Sequence, residues 1–218
     1  MSVRAAGTPP ELHWFRNSAE RRAVYYEVYG FATERVKMQS SSLKPQSWAV
    51  VLDVDETILD NSEYQARLAT SGQAYATNTW EAWVHDQRAV ALPGAVDFLH
   101  MVRVQGGRIV LITNRNLDDC PDTEANLHQQ GLEYDAILRA PKGPDGKWVS
   151  DKNPRFEQVN SQVLPGIGRV QVVAYVGDNI QDFPGLSQGK PGEARRFGYD
   201  YFVLPNPMYG SFMNNVYR

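Results

Sequence analysis

The segment Val50–Thr57 reads Val-Val-Leu-Asp-Val-Asp-Glu-Thr: an apolar run with the character of a buried strand that stops at two aspartates one residue apart. Alternate side chains of a strand share a face, so Asp53 and Asp55 leave its carboxyl end on one side, where open α/β sheets place ligands. Removing two like charges from water is costly unless a cation or a shared proton compensates. An aspartate after a strand also serves as a helix cap or turn residue. A pair spaced to share a face and followed by Thr57 fits that use less well.

A chain of 218 residues suits a single domain, 1–218, with room for a small insertion. Hydrophobic residues at 42%, charged residues at 22% and the lack of any low-complexity block argue against disorder except at the ends. The formal net charge is −3 and the basic residues are scattered, so no nucleic-acid polymer is indicated as a partner. Cys120 is the lone cysteine; it can form neither an intrachain disulfide nor a cysteine metal site, and it leaves the redox compartment open. No apolar run approaches the roughly 18 residues of a transmembrane segment. Met1 to Pro10 carry one arginine and no hydrophobic stretch, so no signal peptide or lipobox is expected, and the chain reads either as cytoplasmic or as a mature form without its leader.

Along the chain, 11–38 reads as an N-terminal helical region. Asn17 and Glu20 have capping-box spacing, and Val24, Val28, Ala32 and Val36 recur every four residues. Tyr25, Tyr26 and Tyr29 are read as packing. An aromatic segment, 59–92, follows the aspartates and ends at Pro93-Gly94, where a helix over 95–105 begins. Next come a strand over 108–112, a helix over 122–130, a strand over 136–139 and a turn at Pro144-Asp145-Gly146. Asn153 as N-cap with Pro154 at the first helical position starts a helix running to about Val163. Val170–Val176 is an apolar strand ending in Gly177-Asp178-Asn179, and a last strand covers 201–204.

Strands alternating with helices predict an α/β fold with a mostly parallel central sheet flanked by helices. Polar residues follow three of the strands: Asp53 and Asp55, then Thr113-Asn114-Arg115, then Asp178. In a right-handed parallel sheet all three positions fall at one edge. Converging aspartates without His or Cys favour a hard cation with oxygen ligands, and Mg²⁺ is the ion expected.

The ordered set Asp53-Val54-Asp55-Glu56-Thr57, Thr113 after a strand, Lys152, and Gly177-Asp178-Asn179 with Asp182 resembles the haloacid dehalogenase (HAD) superfamily of phosphohydrolases. Further elements are similar to the class C acid phosphatases, the lipoprotein e(P4) group of 5'-nucleotidases. These are Leu59-Asp60-Asn61-Ser62-x-Tyr64-Gln65, Trp80-x-x-Trp83, Leu92-Pro93-Gly94-Ala95, Thr113-Asn114-Arg115, Asp178-Asn179-x-x-Asp182-Phe183 and Leu204-Pro205-Asn206-Pro207-Met208-Tyr209-Gly210. With Ser18-Ala19-Glu20 they span most of the chain.

The resemblance implies a Rossmann-like HAD fold with a small helical cap, inserted at 59–92, and an N-terminal helix. It implies that Asp53 is the nucleophile and Asp55 the general acid, then the base. Mg²⁺ would be held by the Asp53 carboxylate, the Asp55 backbone carbonyl and the Asp178 carboxylate, with Asp182 orienting a metal-bound water. Thr113 and the Asn114 amide would hold phosphoryl oxygens, and Lys152 would neutralise charge. Taken alone, Lys152 reads as a solvated surface lysine and Thr113 and Asn114 as an ordinary strand-end turn, while Arg115 reads as an ion-pair anchor for its loop rather than a substrate contact, with no further role assigned. Dehalogenases of the superfamily lack the second aspartate, so Asp55 argues for phosphate esters.

The implied substrates are 5'-nucleotides or a broad set of small phosphomonoesters, with Tyr64 and Tyr209 as candidates for stacking on a base and Trp80 and Trp83 at least as readily packing inside the cap. Two other readings stay open: a phosphotransferase on the same scaffold, and a catalytically weak ligand-binding surface protein. Kinship implies the periplasm or outer membrane, and a homodimer is left open.

Overall fold

The computed structural model describes residues 7–118 and 120–216, with the backbone only at Cys120. Met1 to Ala6, part of the stretch read above for a leader, lie outside the described residues. In chain order the elements are α1 (Pro10–Asn17), α2 (Ala19–Ser40), β1 (Trp48–Leu52), β2 (Leu59–Asp60), α3 (Ser62–Ser71), α4 (Thr77–His85), β3 (Val90–Ala91), α5 (Ala95–Val104), β4 (Arg108–Asn116), α6 (Cys120–Gln129), β5 (Ala136–Ala140), α7 (Asn153–Ser161), β6 (Gln171–Gly177) and β7 (Tyr201–Val203). Five strands form one sheet in the order β5-β4-β1-β6-β7, every neighbouring pair parallel.

β1 sits at the centre because it is apolar on both faces: Val50 and Leu52 pack with Tyr25, Tyr29 and Phe98, while Ala49 and Val51 pack with Phe156 and Tyr175. A strand buried on both sides needs such a continuous apolar run, and truncating Leu52 to Ala would cost about 2–5 kcal/mol. The register aligns Leu52 with Leu111 of β4 and Val176 of β6, so the residues that follow these three strands emerge side by side. The segment 59–92 leaves and rejoins the sheet through the antiparallel pair β2-β3, which joins Leu59 to Ala91 and Asp60 to Val90, with α3 and α4 between them.

The N-terminal region differs from its sequence reading in two ways. It is two helices, broken at Ser18, whose side chain accepts the Arg21 amide as the N-cap of α2; Asn17 instead donates to the His13 carbonyl. The buried face of α2 is Arg21, Tyr25, Tyr29, Ala32 and Val36, with Val24 and Val28 only half-buried. Arg21 tolerates burial because its Nε donates to the Phe15 carbonyl and its Nη2 to Asp60 Oδ2, at 2.6 and 3.0 Å. At α7 the N-cap position is Lys152, and the Asn153 side chain accepts the Gly185 amide at 2.7 Å.

Candidate active site

The ladder between β1 and β6 continues one residue past Leu52, with the Asp53 amide donating to the Val176 carbonyl at 3.0 Å. Beyond it the chain turns sharply through Glu56, whose φ of 53° lies in the left-handed region. The long helix α2 secures this turn: the Tyr25 hydroxyl donates to the Glu56 carbonyl at 2.5 Å and the Tyr29 hydroxyl to the Thr57 carbonyl at 2.8 Å. Tyr25 and Tyr29 therefore pack, as read from sequence, and also hold the loop that carries the aspartates, whereas Tyr26, read the same way, is exposed. Burial raises the pKa of both hydroxyls, and both stay protonated as donors.

Lys152 Nζ donates to Asp53 Oδ1 at 2.5 Å and to Asp182 Oδ1 at 2.7 Å, and all three residues are buried. Burial opposes the lysine's charge, but Asp182 and Asp53 outweigh it and hold the ammonium above its ordinary pKa. Asp182 is fixed at its other oxygen by the Asn179 amide at 2.8 Å. Gly177 makes room for it: a Cβ on Gly177 would fall 2.3 Å from Asp182 Cβ, so no other residue fits there. Asp178 accepts from Asn206 Nδ2 at 2.9 Å, which gives the Pro205-Asn206-Pro207 motif its role at the site.

Asp53, Asp178 and Asp182 each present an oxygen within 4.8 Å of the others. Burial, then the Asp182 and Asp55 charges, push Asp53 up to about 7 despite Lys152. Burial and the same crowding raise Asp178. Carboxylates this close and this short of compensating charge suit a divalent cation with oxygen ligands. The donor set of Asp53, Asp178 and Asp182 therefore fits a hard divalent cation.

Asp55 is half-buried, and Arg115 and Asn61 bind its carboxylate. β4 extends through Asn116 rather than stopping in a turn, so Thr113 and Arg115 point inward while Asn114 is exposed. Thr113, expected to touch phosphoryl oxygens, is fully buried; its hydroxyl accepts the Arg115 amide at 3.1 Å, and Asn114 forms the cavity wall there. Sequence reasoning passed over Arg155. This residue ties the end of β4 to the loop before Lys152, donating to the Thr113 carbonyl at 2.5 Å, Asn114 Oδ1 at 2.6 Å and the Asp151 carbonyl at 3.2 Å. Its place one helical turn after Lys152 was the available signal.

These groups open into a cavity of about 580 Å³. The strand ends supply Asp53, Asp55, Asn114, Arg115 and Asp178, and Lys152 and Asp182 join them. α1, the segment 59–92 and the C-terminal segment supply Leu12, Leu68, Tyr75, Trp80, Met208 and Tyr209. Tyr209 lines the cavity. Tyr64 does not: it is 2% exposed, its hydroxyl pairs with Thr79 Oγ1, and its ring packs among Tyr75, Trp80 and Trp83. Tyr75 and Trp80 take the cavity-facing place expected of Tyr64.

Residues 6–212 match the family model described as HAD superfamily, subfamily IIIB (acid phosphatase). The chain belongs to this HAD acid phosphatase family. The class C acid phosphatase from Bacillus anthracis is 30% identical with a TM-score of 0.77, over 92% of this chain and 84% of that one. The same protein with tungstate bound matches with a TM-score of 0.78 at 30% identity. Two plant proteins are also similar. The stem 28 kDa glycoprotein of Glycine max is 29% identical over 205 residues, 93% of this chain and 72% of that protein. Acid phosphatase 1 of Solanum lycopersicum is 28% identical over 161 residues, 73% of this chain and 57% of that protein. The parallel sheet flanked by helices expected from sequence is the fold of the HAD acid phosphatases. Among the described residues no helix is long and apolar enough to cross a membrane.

Proposed function

We propose that this HAD acid phosphatase is a Mg²⁺-dependent phosphomonoesterase that acts on 5'-nucleotides through an aspartyl-phosphate on Asp53. The observation that carries the reading is the convergence of Asp53, Asp178, Asp182 and Lys152 at one end of a cavity whose other side is aromatic. The Asp53 and Asp178 carboxylates and the Asp55 carbonyl would hold Mg²⁺, with Asp182 supporting. When bound, the ion offsets the negative charge gathered by the carboxylates and the phosphoryl oxygens.

Asp53 attacks phosphorus, and the bond to the leaving oxygen breaks as Asp55 protonates it. Asp55 then takes a proton from the water that opens the acyl phosphate. Lys152 balances charge on the nucleophile and the phosphoryl group, while Asn114, backed by the buried Thr113 and braced by Arg155, meets phosphoryl oxygens. Tungstate, bound in the related Bacillus protein, is an oxyanion of phosphate's shape. Tyr75, Trp80 and Tyr209 provide flat faces for a nucleobase, a contact worth about 1–3 kcal/mol per base in single-stranded complexes. The periplasmic or outer-membrane location belongs to the same proposal and rests on kinship; cell fractionation checks it.

The test is phosphate release from a panel of phosphomonoesters. 5'-Mononucleotides should lead the panel, EDTA should stop the reaction and Mg²⁺ should restore it. Activity undiminished in EDTA refutes the metal role, and equal turnover of nucleotides and small alkyl phosphates refutes the base preference.

A further inference from the structure

Every hydrogen bond to the Asp55 carboxylate among the described residues lands on one oxygen. Arg115 donates to Oδ1 from Nε at 3.0 Å and from Nη2 at 2.8 Å, and Asn61 Nδ2 donates to the same oxygen at 2.9 Å. Three N–H groups aimed at Oδ1 leave no room for a proton on it. Oδ2 is the oxygen of this carboxyl group that takes none of these bonds, on a residue that lines the cavity.

Both donors are fixed by the cap. Asn61 is fully buried, and its Oδ1 accepts from Trp83 Nε1 at 2.8 Å and from Arg115 Nη2 at 3.2 Å. The Arg115 guanidinium is also buried, lies 5.6 Å from the centre of the Trp80 ring and donates from Nη1 to Thr123 Oγ1 at 3.3 Å. Trp80 and Trp83 both lie on α4, the first on the cavity wall and the second in the core. One cap helix thus touches both groups that orient Asp55.

We infer that Arg115 and Asn61 are positioning residues for departure of the leaving group: by holding Asp55 Oδ1 they present Oδ2 to the ester oxygen, and through Trp83 and Trp80 they tie that orientation to α4. The inference rests on the reading of Asp55 as the general acid. In the step concerned, an Asp53 oxygen forms a bond to phosphorus and the bond from phosphorus to the ester oxygen breaks. The electron pair of that bond stays on the ester oxygen, which takes the proton from Oδ2, and Asp55 is left as a carboxylate. A leaving group that is stable as an anion needs little of this help. An alkoxide needs all of it.

The experiment compares kcat/KM for p-nitrophenyl phosphate and benzyl phosphate, which carry similar rings on very different leaving oxygens. That ratio reports steps up to leaving-group departure and omits the later hydrolysis. Arg115→Met should lose about 100-fold on benzyl phosphate and less than about fivefold on p-nitrophenyl phosphate, within the range set by general acid catalysis. Arg115→Lys should restore part of the loss. Trp83→Phe, which removes the donor to Asn61 along with part of a buried ring, should lose about fivefold on benzyl phosphate alone; it carries the test if Arg115→Met does not fold. Asp55→Asn separates the two layers. If Asp55→Asn discriminates between the esters and the Arg115 and Trp83 variants lose equally on both, or lose nothing, the positioning inference falls and the acid assignment stands. If Asp55→Asn itself loses equally on both esters, the acid assignment falls.

Discussion

On the strand-end side of the cavity, Asp53, Lys152 and Asp182 are each less than 10% exposed and are joined by charged hydrogen bonds, whereas on the facing side Tyr75 is 61% and Met213 66% exposed. The first wall is cross-braced: Arg155 links the end of β4 to the loop before Lys152, Gly177 lets Asp182 close in, and α2 holds the turn after Asp53. The second wall is assembled from α1, the cap and the C-terminal segment, and it rests on ring packing such as the 6.4 Å contact of Tyr75 with Trp80. Preorganised charge is what lowers a phosphoryl-transfer barrier, while an open aromatic wall can take leaving groups of several shapes. Changes on the braced wall should therefore act on turnover, and changes on the open wall on substrate affinity and choice.

The largest expected effect is that of Asp53→Asn, which removes the nucleophile and should lower turnover of any phosphomonoester by at least about 10⁴-fold without loss of fold. Residual activity within tenfold of the parent would break the assignment of chemistry to this wall.

Thermal unfolding with and without Mg²⁺ sharpens the same point. An Asp53 pKa of about 7 in the cation-free fold lies above the carboxylate's unfolded value. The stability it contributes is therefore full below the unfolded pKa and is lost as pH rises through about 7. Mg²⁺ must displace that proton, so its stabilisation, about 2.7 kcal/mol at a hundredfold excess over Kd, should be full above pH 7 and fade toward pH 5. A Tm gain that is the same at both pH values contradicts this.

Tyr29→Phe leaves the buried Thr57 carbonyl without its donor and should cost about 2 kcal/mol in denaturant unfolding. Tyr209→Ala, on the open wall, should raise KM for a 5'-nucleotide about tenfold, the size of one stacking contact, with kcat little changed. If instead kcat fell and KM held, the division between the walls would fail.

What could be read from the sequence follows the same division. The apolar runs ending in Asp53 and Asp178 mark two strands and their edge, because a buried strand and a charged terminus are both local signals. α2 was harder: counting aliphatic residues puts its face on Val24 and Val28, but Arg21, Tyr25 and Tyr29 bury their bodies and pass their polar tips to other segments. Arg115 was legible only as a residue that anchors its loop through an ion pair, and its partner Asp55 was not, because β4 was expected to end at Ile112; once the strand runs on, alternation turns Thr113 and Arg115 inward together. In the cap, α3 is only ten residues and α4 nine, too short for periodicity to tell a core aromatic from a cavity aromatic. Tyr64 on α3 was misplaced for that reason, and Tyr75 lies in the loop between the two helices, where no period applies.

A crystal of the protein grown with Mn²⁺ in place of Mg²⁺ and examined by anomalous scattering tests the central claim most directly. The account predicts one strong peak coordinated at once by the Asp53 and Asp178 carboxylates, beside Lys152. A peak bound elsewhere, or an Asp53 that contacts no cation at saturating Mn²⁺, would contradict it.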